Sequence, residues 1–223
     1  MRRSILSALA VLVLGASASH AQNLLTNSNF SAGNTGFTTD YAISGVFPPG
    51  PDGPGHYNIV TQTIQFNPAY GGTFGDHTSG AGNMLIVNGA SVSGLSFWGN
   101  NVAVVQNTDY TFSGWFASAL VNPDPSPASI VLSINGTPLN PTGFGVNATA
   151  GGWTQFTTTW NSGANTVANL SLTDNNVNDF GNDFVVDDLV FQGPAANAPE
   201  PGTLALLGLA ALPVAGLLRR RNK

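Results

Sequence analysis

Residues 183–191 read DFVVDDLVF. Valine and phenylalanine dominate, and a run this short with that composition reads as a β-strand. The aspartates in its middle are the anomaly. Side chains alternate along a strand, so one of Asp187 and Asp188 is expected to point towards the core or its edge. A buried carboxylate without a partner is very costly. No Lys or Arg occurs between residues 22 and 198 to supply one. The remaining partners are backbone N–H groups, Asn or Thr side chains, a proton on the carboxyl, or a bound cation.

Similar runs recur between turn signals throughout the preceding chain. They are FTTDYAIS from Phe37, HYNIVTQTI from His56, NMLIVNG from Asn83, VAVVQ from Val102, DYTFSGWFASAL from Asp109, SIVLSING from Ser129, WTQFTTTW from Trp153 and TVANLSLTD from Thr166. Tyr110, Phe112, Gly114 and Phe116 share one face at period two, as do Phe156, Thr158 and Trp160. No stretch has helical periodicity. PPGPDGPG at 48–55 excludes regular structure, because Pro lacks a donor and Gly adds freedom. Asn135-Gly136 is a hairpin signal. About nine strands over residues 22–193 predict an all-β jelly-roll sandwich.

Charge is distributed unusually. The 223 residues hold six Lys and Arg, and all six lie at the ends, at Arg2, Arg3, Arg219, Arg220, Arg221 and Lys223. Of eleven acidic residues only Glu200 is a glutamate, and the aspartates all lie in the body. A body without basic side chains excludes nucleic-acid binding and argues against strongly anionic ligands. Its field favours cations. There is no cysteine, hence no disulfide and no thiol nucleophile.

The ends carry apolar segments. Residues 1–21 combine Arg2 and Arg3, an apolar run from Ile5 to Leu14 and a small-residue site at Ser19-His20-Ala21. This is the pattern of a secretory signal peptide, with cleavage by signal peptidase expected after Ala21. Residues 194–223 form a linker, then Pro199-Glu200-Pro201, an apolar segment from Leu204 to Leu218 expected to be a helix, and the cluster Arg219, Arg220, Arg221. Such a cluster prefers the cytoplasmic side, which leaves the body outside. The ordered tripeptide, apolar helix and basic end resemble the PEP-CTERM sorting signal of Gram-negative bacteria that make exopolysaccharide. The resemblance implies recognition by an exosortase and cleavage near Pro199-Glu200-Pro201. The C-terminal helix would hold the chain in the inner membrane during sorting. The mature protein would then reach the cell surface or the extracellular matrix.

NLLTNSNFSAGNTGF near the start and DDLVF at the end resemble the first and last strands of carbohydrate-binding-module jelly rolls. FGDHTSGAGNMLIVNGA, YTFSGW, SINGTPL and WTQFTTTWNSGAN resemble the body of a group of PEP-CTERM proteins. In the related jelly rolls the aspartate matching this pair holds a structural Ca²⁺. The resemblance therefore implies a Ca²⁺ site at Asp187 or Asp188, with a contribution from the region of Asp76. The first strand of those jelly rolls often supplies a glutamate where this chain has Ser31.

Asp76-His77-Thr78 lies in a Gly-rich loop. A catalytic role would need His77 beside a nucleophile or second base, and nothing in the spacing singles out such a pair. Bracing of the loop by Asp76 is the expected role. Among the aromatics, Trp98 and Tyr57 lie near loops and are the candidates for stacking on a glycan, whereas Trp160, in phase with Phe156, belongs to the core. Together these readings predict a non-catalytic, exported envelope or matrix protein that binds polysaccharide. The alternatives are a structural matrix protein without a ligand and a secreted glycan hydrolase or lyase.

Overall fold

β-Branched and aromatic residues build strands that alternate between two environments. The computed structural model describes residues 21–45, 53–68, 70, 73–120 and 123–195. The expected signal peptide and the expected C-terminal helix with its motif lie outside the described residues. Gln22–Pro194 form one compact unit. Among the described residues no helix is long and apolar enough to cross a membrane.

The strands are β1 (Ala42–Ile43), β2 (His56–Val60), β3 (Met84–Asn88), β4 (Ser96–Ala103), β5 (Asp109–Ser118), β6 (Ser129–Ile134), β7 (Thr137–Pro138), β8 (Phe144–Gly145), β9 (Thr154–Asn161), β10 (Val167–Asp174) and β11 (Asp183–Gln192). One sheet has the order β1-β2-β3-β11-β5-β9. The other has the order β4-β10-β6-β7, with β8 also on β6. Among the strands described, each pairing is antiparallel except β1 with β2. The protein is an all-β jelly-roll sandwich. Asn135 (φ 52°) and Gly136 (φ 76°) close the β6–β7 hairpin, with both turn residues left-handed as a type I′ turn requires.

The main core lies between the sheets and includes Phe97, Trp98, Phe112, Phe116, Leu132, Leu172, Phe184 and Leu189. A second cluster, containing Val60, Phe66, Met84, Ile86, Ala117 and Val185, includes the alternate residues of β3, β5 and β11. It covers the outer face of the six-stranded sheet, under the segment that carries the 3-10 turn Thr63–Gln65.

Two expectations need correction. The strand placed at Val102 runs instead from Ser96, and its register against β10 slips between Leu172↔Trp98 and Thr173↔Ser96. The slip inserts Phe97, and both aromatics are buried, Trp98 at 1% exposure. Tyr57 is also in the core at 5% exposure, with its hydroxyl donating to Asn34 Oδ1 at 2.9 Å. Neither Trp98 nor Tyr57 is placed to stack on a glycan. Trp160, in contrast, is half-buried and packs against the core as expected.

Among the described residues five aspartates are buried: Asp76, Asp124, Asp174, Asp183 and Asp187. Asp183 accepts the Tyr70 hydroxyl at 2.7 Å. Burial pushes its pKa from 3.8 up to about 6, opposed by the Tyr70 hydrogen bond and reinforced by the charge of Asp124. A raised folded pKa means that this group's stabilising contribution is complete below the unfolded value and is lost as pH rises through the folded one. In metal-free buffer the melting temperature should therefore fall between about pH 4 and 6.5. Asp183→Asn keeps an oxygen for Tyr70 and should flatten that slope; an identical slope in the variant would refute the assignment.

Candidate functional site

The site is built around a bulge in β11. Its pairing with β5 runs from Phe184↔Ser118 to Asp187↔Trp115, slips, and resumes at Val190↔Ser113. Asp188 takes the extra position with φ +47°, a left-handed conformation that Asp tolerates better than most residues. The slip changes the apolar phase, so Phe184 and Val186 face the main core before it and Leu189 and Phe191 after it. Neither aspartate points between the sheets. Asp187 lies on the outer face opposite Trp115, yet it is only 1% exposed.

The loop from Gly75 to Asn83 covers it. The His77 N–H donates to Asp187 Oδ2 at 3.0 Å. His77 Nδ1 lies 2.8 Å from Asp188 Oδ2, and the Thr78 hydroxyl donates to the same oxygen. The imidazole stacks on Trp115 (centroids 3.8 Å, planes 16° apart) and meets Trp153 edge-on at 5.8 Å. Asp76 braces the loop. Its Oδ1 accepts the N–H groups of Ala81 at 2.6 Å and Gly82 at 2.7 Å, and its Oδ2 that of Ser79 at 3.2 Å. Burial opposes its ionisation, but the donors of Gly82, Ser79 and Ala81 hold its pKa below the usual value. Asp187 behaves in the opposite way. Burial pushes its pKa up to about 7, against the N–H groups of Asp188 and His77 and with the charges of Asp188 and Asp76. Its Oδ1 is buried without a hydrogen-bond partner.

The first segment of the body packs against the other side of the bulge. Leu189 N–H donates to the Ser28 carbonyl at 2.9 Å, and the Asn23 amide bridges the Leu189 carbonyl and the Phe191 N–H, each at 2.9 Å. Asn83 Nδ2 donates to the carbonyl of Phe30, itself left-handed at φ 55°. These contacts leave a cleft of about 480 Å³, with polar walls from Asn23, Asn27, Ser28, Asn29, Ser31 and Asp188 and apolar ones from Ala32, Leu189 and Val190. Asn23 and Asn27 spend their amides on backbone. Asn29 and Ser31 are exposed at its wall.

The structure thus brings Asp76 to the distant pair Asp187 and Asp188 through the loop that covers them, whereas Trp98 and Tyr57 lie in the main core. Sequence reasoning missed the Trp115–His77 stack and the Asn/Ser cleft. The change of apolar phase across Asp187-Asp188 was the available signal for the bulge. Among the described residues no three His, Asp or Glu side chains are arranged to hold a metal ion together. The Thr78 hydroxyl donates to Asp188, not to His77, so no hydroxyl–imidazole pair is formed there.

Residues 197–222 match the family model for the PEP-CTERM protein-sorting motif, so the chain carries that export-sorting signal. No curated protein sequence matches the chain. Among solved structures, the body is similar to the Stig cyclase Fisc from Fischerella sp. TAU (TM-score 0.50, 12% identity, covering 80% of this chain and 100% of that one). It is also similar to the CBM22-1 xylan-binding domain of Paenibacillus barcinonensis Xyn10C (TM-score 0.49, 14% identity, 81% and 100%). A third is the C-terminal domain of EclA, a sugar-binding protein (TM-score 0.36, 15% identity), of which this chain spans 66% while 43% of its own length is covered. At such identities the likeness is one of fold alone.

Proposed function

We propose that this is an exported, non-catalytic domain, processed by exosortase at its PEP-CTERM motif, that binds neutral polysaccharide of the envelope or biofilm matrix. The observation that carries the reading is the cleft at the β11 bulge. Asn and Ser side chains and a single carboxylate line it together with Ala32, Leu189 and Val190, in a body without a basic side chain. Such walls suit the hydroxyls of an uncharged sugar and repel a polyanion. The sugar-binding of fold neighbours accords with this reading.

A cation at Asp187 belongs to the same proposal. The fit rests on its buried, unpartnered Oδ1, an oxygen of the kind Ca²⁺ takes. Asp76 fits less well, because both of its oxygens already accept N–H groups. When bound, the ion would supply the positive charge that the body lacks and stiffen the wall that presents Asp188 to the cleft.

The test uses mature protein purified from an exosortase-bearing host. Mass analysis should show loss of the apolar tail. Calorimetry should show neutral polysaccharide bound with little dependence on salt. Replacing Asn29 and Ser31 together with alanine removes about two hydrogen bonds to ligand and should weaken binding roughly tenfold. Absence of binding to any neutral glycan, including the producer's own matrix, would leave a ligand-free structural role. An intact tail on most surface protein would defeat the processing step.

A further inference from the structure

Among the described strands, the outer edges of the two sheets differ in how they are closed. β1 is only two residues long. β7 and β8, on the far side of β6, are also two residues each, and β7 ends on Pro138. β4 is covered by residues 38–40. Thr38 and Gly99 exchange N–H···O bonds at 2.9 and 2.8 Å, and the Asp40 N–H donates to the Ser96 carbonyl at 2.8 Å. β9, the remaining edge, has none of these protections. It is eight residues long, reads TQFTTTWN without a charge or a proline, and runs against β5 with no slip in register.

The neighbouring bonds show which backbone groups of β9 face outwards. The Ala119 N–H donates to the Asp183 carbonyl at 3.0 Å, so the odd-numbered residues of β5 turn towards β11. Beyond the two ends of β9, the Ser162 N–H donates to the Thr108 carbonyl at 2.9 Å and the Gly151 N–H to the Ser118 carbonyl at 3.1 Å, so the even-numbered ones turn towards β9. Direction alternates along an antiparallel ladder. In the register Asp109↔Asn161 to Phe116↔Thr154, even-numbered residues of β9 therefore bond to β5. Gln155, Thr157, Thr159 and Asn161 aim their N–H and C=O groups away from the sheet. All of them are exposed, and among the described residues none of these backbone groups has a partner.

Such an edge is a template for another strand. We infer that β9 pairs antiparallel with β9 of a second copy of this chain, fusing two six-stranded sheets across a two-fold axis at Thr158. The register follows from the outward groups. Bonding all of them sets Gln155 against Asn161 and Thr157 against Thr159, places Thr158 opposite its own copy, and forms about eight ladder hydrogen bonds. Each half of the joint repeats the other, as an isologous contact requires. Thr157 and Thr159 make a favourable cross-strand pair on the outer face. On the inner face Phe156 comes opposite Trp160, which a single copy leaves half-buried at the rim of the core. Charge favours the same partner. The body holds aspartates and no Lys or Arg, so two copies repel wherever carboxylates meet. β9 carries none, and Asp109, beside Asn161, falls at opposite ends of the joint in the two copies. The pairing uses up both β9 edges, so it closes as a dimer.

Sedimentation of the mature protein over a concentration series tests this, and should show monomer and dimer in equilibrium with no larger species. Thr157→Lys combined with Thr159→Lys sets like charges directly opposite each other and should raise the dimer dissociation constant roughly tenfold or more. Both side chains are exposed, and an unchanged far-UV spectrum would show that the fold is kept. Cross-linking gives a second reading that does not depend on those lysines. The chain has no cysteine. Residues in a non-hydrogen-bonded pair have Cα atoms about 4.5 Å apart, within disulfide reach. Thr158→Cys treated with oxidised glutathione should therefore give a covalent dimer, and Thr154→Cys, far from the axis, should not. A monomer at every concentration, a dimer indifferent to the lysines, or equal cross-linking from positions 154 and 158 would each overturn the inference.

Discussion

Trp98→Ala should destabilise the domain by about 3–5 kcal/mol, the range for truncating a buried aromatic. The indole is 1% exposed and belongs to the core between the sheets, opposite Leu172 of β10. The extra residue at Phe97 brings a second large ring into the same layer, and Phe97 meets Phe184 edge-on with centroids 4.9 Å apart. A cavity at Trp98 would therefore border the central strand of the opposite sheet. In a domain of this size each kcal/mol shifts the melting temperature by roughly 2–4 °C. The fall should exceed about 6 °C, with glycan affinity per folded molecule unchanged. A loss below about 1 kcal/mol, or a selective loss of binding, would contradict the core placement.

Gly75→Ala should be the next most damaging change. A Cβ there would lie 2.2 Å from the Gly80 carbonyl oxygen, 2.5 Å from its carbon and 2.9 Å from the Thr61 carbonyl oxygen. All three are backbone atoms, so no side-chain rotation can relieve the clash. The loop must open, and overpacking of this kind costs about 1–3 kcal/mol or more. Asp76 and His77 follow directly, so the imidazole should leave Trp115 and the N–H of His77 should leave Asp187. Denaturant melts would report the first effect, and Trp115 fluorescence together with Ca²⁺ affinity the second. Gly45→Ala is the control. A Cβ at Gly45 meets nothing within 4 Å, and the cost should stay within about 0.5 kcal/mol. Equal behaviour of the two variants would show that the loop is not closed as described.

The sequence made the sandwich legible because local and non-local demands coincide. β5 alternates Tyr110, Phe112, Gly114 and Phe116 towards the core along its whole length, and Asn135-Gly136 has the turn its hairpin needs. Both failures of alternation lie at bulges. Period two cannot anticipate that Phe97 and Trp98 share a side, nor that Asp187 and Asp188 both escape the main core, because a bulge depends on the partner strand as much as on its own residues. The sequence did identify Asp187-Asp188 as costly without basic partners. It did not reveal that Asp174 Oδ2 and Asn182 Oδ1 are also buried without a hydrogen-bond partner, because their burial depends on how residues 175–182 pack. Nor could it show the cleft, whose walls come from the first and last segments of the body.

The position of β11 has a mechanical consequence. It lies between β3 and β5, and the chain continues from its end at Gln192 towards the sorting motif. Any tension carried by that tether pulls along the axis of an interior strand. Antiparallel ladder bonds run across the strand, so the pull shears many of them together, whereas an edge strand can be peeled bond by bond. The N-terminal segment adds a clip at the loaded end, with Leu24 N–H donating to the Phe191 carbonyl at 2.8 Å and Asn23 Oδ1 accepting the Phe191 N–H at 2.9 Å. Drag on an anchored domain is thus met in shear, the direction in which the sheet resists most.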